Sequence, residues 1–278
     1  MTTAKIDLQA HVNFKSASLY DVLKIMDRNE LDVVSIMNYE RDSFNDLVEN
    51  SFLLPAEFKV EYDDLLMKIS RPSASGIVNR YFVAGQEVRI KDGDFHLVHI
   101  GVRGDVPSDY VRNSINCSLS QEGLTYIDHP FAWIRNFRQE IPKHTEIFLE
   151  ELCKDYSGQI ALEKNGYCKP WIRKALGGND VNEMIEEFSE RLGNEMINVP
   201  VIATTDLHAW HWRLLSALGK FHVEADVNLE SGTKFVKSLK EKIFGREYLN
   251  IDEKYPSAAH FTLAFGIPYV KGRLLGTI

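Results

Sequence analysis

Across residues 199–210 the chain reads Val-Pro-Val-Ile-Ala-Thr-Thr-Asp-Leu-His-Ala-Trp. The apolar, β-branched run predicts a fully buried strand that stops abruptly at polar residues. Asp206 and His208 come two apart just past it, so an extended backbone sets both side chains on one side. One offers oxygen and the other nitrogen, a donor mixture that suits a divalent metal such as zinc or manganese. Alone, Asp-x-His is equally an ordinary capped loop. Its weight comes from the other strands of the chain, several of which end the same way.

Periodicity places those strands and the helices between them. Residues 5–10 (Lys-Ile-Asp-Leu-Gln-Ala) predict a short strand that leads to His11. Ser18 with Asp21 gives a capping-box pattern, and Leu19, Val22, Leu23 and Met26 carry helical spacing to about residue 29. Residues 31–37 are the next strand, followed by Asn38 and Tyr39, which makes a βαβ unit with a right-handed crossover. Residues 42–79 are expected to be helical and irregular, with breaks at Pro55 and Pro72. Residues 81–90 and 95–102 read as paired strands about the turn signal Lys91-Asp92-Gly93-Asp94. Strands at 124–127 and 159–163, and helices at 145–155, 181–196 and 234–244, complete the pattern. The alternation favours an α/β architecture with a parallel sheet, open or closed into a barrel, and a single domain over residues 1–278.

Bulk properties exclude some classes. At 278 residues the chain is long enough to bury a sizeable core. A net charge of −8 argues against a general nucleic-acid or anionic-membrane surface, leaving only a local basic cleft. No apolar signal region comes after Met1, and no run approaches transmembrane length, so a cytoplasmic protein without a membrane partner is expected. Cys117, Cys153 and Cys168 lack metal-finger spacing and read as reduced structural thiols.

The polar residues at the ends of these strands are His11, Asn38-Tyr39, Glu87, His129, Glu163-x-Asn165 and Asp206-x-His208. In a parallel barrel the strand C-terminal ends meet at one mouth, where such folds keep their active sites. Any single member has a blander explanation: a packed histidine, a His-Pro turn, a glutamate against a helix dipole. All of them together are poorly explained that way, and a shared site is the better reading.

In order along the chain, these residues resemble the motifs of the PHP (polymerase and histidinol phosphatase) superfamily. Asp7-Leu8-Gln9-Ala10-His11 is similar to its Asp-Leu-His-x-His opening, Gly85-Gln86-Glu87 to its Gly-x-Glu, and His96-Leu97-Val98 to its His-Leu-Leu strand. His129-Pro130, Glu163-x-Asn165 and Thr205-Asp206-Leu207-His208 resemble its His-Pro, Glu-x-Asn and Ser-Asp-x-His. The resemblance implies a distorted TIM-like (β/α)7 barrel. It also implies divalent zinc, manganese or iron at the strand ends, and hydrolysis of phosphate mono- or diesters. One metal position would keep His11, Glu87 and Asp206, and a second would keep Glu87 as bridge with His96 and His129. A third would retain little beyond His208.

The departures narrow this expectation. The first histidine of the opening motif is Gln9, the aspartate expected shortly after His11 is missing, and the family's Thr-Asp-His is Met37-Asn38-Tyr39. Glutamine is a poor zinc ligand because its amide oxygen is neutral, so a reduced site of one or two ions is expected. Glu87, Asp206 and His208 are the expected catalytic residues, with Asp206 or His208 taking a proton from water. Asn38 and Tyr39, standing where a metal is lost, are candidates to bind the substrate, a small phosphorylated molecule or short nucleic acid. Arg135 is a further candidate, with Arg103 and Arg138 as alternatives, although surface solubility explains such arginines too. Trp210 and Trp212 suit either an aromatic wall or core packing. Two other readings stand beside the phosphoesterase. One is a non-catalytic ligand-binding or scaffolding module with a decayed metal centre. The other is a metal-dependent amidohydrolase on a related barrel, which fits the opening motif less well.

Overall fold

The computed structural model describes residues 1–14, 16–37, 42–92, 95–131, 143–168, 180–209, 212–245, 250–255, 257 and 260. Its first unit follows the sequence pattern. Strand β1 (Thr2–Val12) leads through helix α1 (Leu19–Arg28) to β2 (Val33–Ile36), which pairs parallel with β1. Ser18 caps α1: its Oγ accepts from the Asp21 N–H at 3.1 Å, and the Asp21 carboxylate accepts from the Ser18 N–H at 3.3 Å. Leu19, Val22, Leu23 and Met26 are the buried face of this helix.

Residues 42–79 depart from the helical expectation. Helix α2 (Asp42–Ser51) is followed by β3 (Lys59–Tyr62), β4 (Leu66–Ser73) and the start of β5 (Gly76–Arg89), which pair antiparallel in sequence. The outer parts of these strands are exposed on both faces, so they carry no apolar alternation to read.

The sheet is mixed rather than wholly parallel. β5 turns back into β6 (His96–Ile100), which is antiparallel to both β5 and β7 (Leu124–Asp128). A short connection between β5 and β6 permits no other arrangement, because a parallel crossover needs a dozen or so residues. Helices α3 (Val111–Ser120), α4 (Lys143–Asp155) and α5 (Val181–Asn194) then alternate with β7, β8 (Ile160–Asn165) and β9 (Val201–Thr204). The pairings from β7 to β9 are parallel.

Closure comes directly after β9. Thr205 and Asp206 turn the chain, with Asp206 at φ 49°, and β10 (Leu207–Ala209) pairs parallel with β1. The Thr205 N–H donates to Asp7 Oδ1 at 3.1 Å and its hydroxyl to the Phe221 carbonyl at 3.1 Å, which fastens the seam. β11 (Phe221–Val227) lies antiparallel on β1 and carries β12 (Asn250–Glu253). The result is a distorted TIM-like α/β barrel. Ile6, Leu8, Val98, Ile100, Leu124 and Tyr126 fill its interior together with Phe235 and Leu239 of helix α6 (Gly232–Phe244). Gly101, just past the far end of β6, has no room for a Cβ against Val236, so α6 closes the end away from His96. Further apolar layers lie under α1 and α2 and under α3 to α5. Among the described residues no helix is long and apolar enough to cross a membrane.

Candidate metal centre

The C-terminal ends of β1, β5, β7 and β8 share one rim, and the antiparallel β6 begins there. In register His96 sits opposite both Arg89 and Asp128, so the start of β6 supplies what a parallel strand supplies at its end. His11 pairs in register with His208, and their rings stack at 4.6 Å with planes 6° apart. The β1–β2 register shifts between Asp7 and Ala10; such a bulge re-aims side chains, and Gln9 and His11 both reach Glu87.

Two of the clustered residues occupy the left-handed region, His129 at φ 24° and Asp206 at φ 49°. Aspartate tolerates this conformation, whereas a residue before proline is steered to extended backbone, so His129 is strained. The turn brings His129 Nδ1 to 2.8 Å from Asp128 Oδ1 and 3.1 Å from Glu163 Oε2. Glu163 holds it there by accepting from the His129 N–H at 2.8 Å. Strained backbone of this kind concentrates at functional sites.

His11, Glu87, His96, His129, Asp206 and His208, the residues expected to ligate metal, all come together on this rim. Their donor atoms, with those of two more residues, form three groups: His11, Asp206 and His208; Glu87, His96 and Asp128; Asp128, His129 and Glu163. Within each group the atoms lie within 4.8 Å of one another. His208 thus sits with His11 and Asp206 rather than apart, and His129 sits with Glu163. Asp128 and Glu163 are absent from the ligands expected from sequence. Neighbours along a strand point to opposite faces, so Asp128 and His129 do not read as partners until the turn at His129 is seen.

Burial makes the electrostatics severe. The side chains of Glu87, Asp128, Glu163 and Asp206 are almost wholly inaccessible, and buried carboxylates are costly unless compensated. Gln9 supplies part of the compensation: its Nε2 donates to Glu87 Oε2 at 3.3 Å and to Asp206 Oδ1 at 3.2 Å. Its Oε1 accepts from Tyr126 at 3.2 Å, which fixes the orientation of the amide. Asn165 Nδ2 donates to Asp206 Oδ2 at 2.9 Å. The imidazoles supply the rest. His11 Nε2 lies 2.8 Å from Glu87 Oε2, His96 Nδ1 meets Glu87 Oε1, and His208 Nε2 lies 3.2 Å from Asp206 Oδ1.

These contacts set the titration of the cluster. Burial pushes Glu87 up, but His11 and His96 outweigh it and hold the carboxyl well below its usual range. Burial likewise opposes ionisation of Asp206, and His208, His129 and His11 overcome it. His129 and His208 are held above the usual imidazole range, because their carboxylate neighbours outweigh burial. Asp128 goes the other way: burial first, then the Glu163 charge, raises it well above the ordinary carboxylate range. Neither of its oxygens accepts a hydrogen bond. A rim of imidazole nitrogens and carboxylate oxygens with an unsatisfied buried carboxylate fits a divalent cation of the zinc, manganese or iron type. Such an ion would take the place of the protons that His129 and His208 otherwise hold.

Asn38, Tyr39, Arg135, Arg138 and Trp210 lie outside the described residues, and so does the side chain of Trp212. Arg103 is not at the rim. It lies just past the far end of β6, and its guanidinium donates to Thr233 at the start of α6 at 2.8 Å.

Fold and site together define a distorted TIM-like barrel with buried nitrogen and oxygen donors clustered at its strand-end rim. The chain is similar in fold to a two-domain protein from Bacteroides vulgatus ATCC 8482 containing a predicted PHP-like metal-dependent phosphoesterase. The TM-score is 0.50 at 14% identity, over 87% of this chain and 64% of that one, so this chain spans less than two thirds of that protein. A structure from Bifidobacterium adolescentis ATCC 15703, provisionally described as a metal-dependent phosphoesterase, aligns at TM-score 0.42 and 12% identity over 72% of this chain and 86% of that one. No protein-family model matches the chain, and no curated protein does.

Proposed function

We propose that the protein is a metal-dependent phosphoesterase that hydrolyses a phosphate mono- or diester, with residues 1–278 acting as one PHP-like barrel domain. The observation that carries this reading is the convergence of four imidazoles and four buried carboxylates on one rim of the barrel. The fold has no need of them there. The description of the Bacteroides protein points the same way.

His11, Asp206 and His208 would hold one divalent ion, and Glu87, His96 and Asp128 another. When bound, such ions supply a water that loses its proton near neutral pH and positive charge for the phosphoryl oxygens. Glu87 touches His11 with one oxygen and His96 with the other, so it joins the two positions. His208 is the most exposed of the four imidazoles, at 33% of its side chain, so it is the one of these ligands that solvent and substrate reach most readily. Asp206 orients that ring, and Asn165 fixes the second Asp206 oxygen. The substrate is a small phosphorylated molecule or a short nucleic acid.

One observation favours a second reading. The Gln9 amide satisfies Glu87 and Asp206 without any ion, which suits a binding module built on a decayed metal centre. A screen of the purified protein with manganese or zinc against nucleotides, sugar phosphates and short oligonucleotides separates the two. Turnover that disappears in Asp206→Asn supports the phosphoesterase. A folded, metal-loaded protein inert across the panel selects the binding module.

A further inference from the structure

Asp128 stands apart from the other carboxylates of the rim. Glu87 is met by His11, His96 and Gln9, and Asp206 by His208, Gln9 and Asn165. Glu163 accepts from the His129 N–H and the Thr204 hydroxyl. Asp128 is 1% exposed, and neither of its oxygens accepts a hydrogen bond. His129 Nδ1 lies 2.8 Å from Oδ1 and His96 Nδ1 lies 3.8 Å from Oδ2, both without the alignment or distance that a hydrogen bond needs. The two oxygens also face different ways. Oδ2 is turned to His96, which Glu87 touches, and Oδ1 to His129, which Glu163 touches.

We propose that Asp128 bridges two divalent-cation positions, one completed by Glu87 and His96 and the other by His129 and Glu163. The second position uses a carboxylate pair to which the sequence motifs assign no metal. Each position offers two carboxylate groups and one imidazole, an oxygen-rich set that suits manganese or iron as well as zinc. A cation on either side removes the penalty of the buried Asp128 charge, and sharing the carboxylate lowers the repulsion between two ions. The centre is thereby extended along the rim, from the β1 position, where Gln9 has taken the place of a ligand, toward β6, β7 and β8. This proposal rests on the reading of the rim as a metal centre, but not on any particular substrate.

Calorimetric titration with manganese, paired with thermal melts in chelator, tests it on the full chain. In Asp128→Asn two ions should bind more weakly, each by at least the about tenfold loss typical of disturbing a ligand's outer-shell partner. Glu163→Gln should weaken one ion and leave the Glu87–His96 ion in place. In chelator Asp128→Asn should melt no lower than wild type, since it keeps the shape of a carboxyl whose ionisation burial already opposes, so misfolding would not mimic the result. An unchanged manganese isotherm in Asp128→Asn overturns the bridge, and one in Glu163→Gln overturns the second position. Wild-type protein that binds neither manganese nor zinc overturns the metal-centre reading itself, and this proposal with it.

Discussion

Gln9→His asks most of the structure, because Gln9 is fully buried and touches both carboxylates of the position nearest β1. Hydrogen bonds to charged groups contribute roughly 1.5–3 kcal/mol each. An imidazole at this position donates at most one N–H where the amide donates two, so in chelator the variant should lose about 1.5–3 kcal/mol. Tyr126 adds little to that loss, since its hydroxyl also donates to the Leu8 carbonyl at 3.1 Å. With metal the sign reverses, because a neutral imidazole replaces a weak amide donor beside His11, Glu87 and Asp206. A tenfold gain in zinc or manganese affinity, about 1.4 kcal/mol, is the minimum expected. Urea midpoints in chelator give the first quantity and calorimetric titration the second. Equal stability together with equal affinity would refute the reasoning: Gln9 would then neither compensate the carboxylates nor stand at a metal position.

Glu87→Gln and Asp206→Asn should each lower metal-dependent phosphate-ester hydrolysis by about 100-fold or more while leaving the far-ultraviolet circular dichroism unchanged. Buried His99, bonded through Nδ1 to Thr125 and through Nε2 to Ser114, is pushed by burial down to about 3 from 6.5, so it folds neutral. Its contribution is fully present above pH 6.5 and is lost as pH falls toward 3, by about 5 kcal/mol in full. His99→Gln should flatten the fall of the urea midpoint across that window in chelator, and an unaltered slope would count against the assignment. Ser18→Ala should destabilise the chain by about 1 kcal/mol through loss of the α1 cap, read from the same midpoints.

The outline of the barrel was legible wherever a strand is buried on both faces. The run at 199–204, β2 and β7 are such strands, and their apolar density marks them. Helix α1 was legible because cap and apolar stripe agree. Strands β3 and β4 were not: β3 is largely exposed, and β4 buries Leu66, Met67 and Ile69 at one end without a sustained alternation. β11 does alternate, with Phe221, Val223, Ala225 and Val227 buried, and a count of period two over residues 221–227 would have found it. In the candidate site, residues at strand ends were legible from sequence order alone. Asp128 was hidden because its partnership with His129 depends on a left-handed turn, and Gln9 because its compensating hydrogen bonds reach across the barrel.

The metal content of wild-type protein purified without chelator, measured alongside its melting temperature, tests the metal centre most directly. At least one zinc, manganese or iron ion per chain is expected. It should be lost on chelation with a fall in melting temperature and restored with the ion, because a ligand that binds only the folded state stabilises it by mass action. A folded chain that carries no metal, and whose melting temperature responds to none of these ions, would contradict the metal centre.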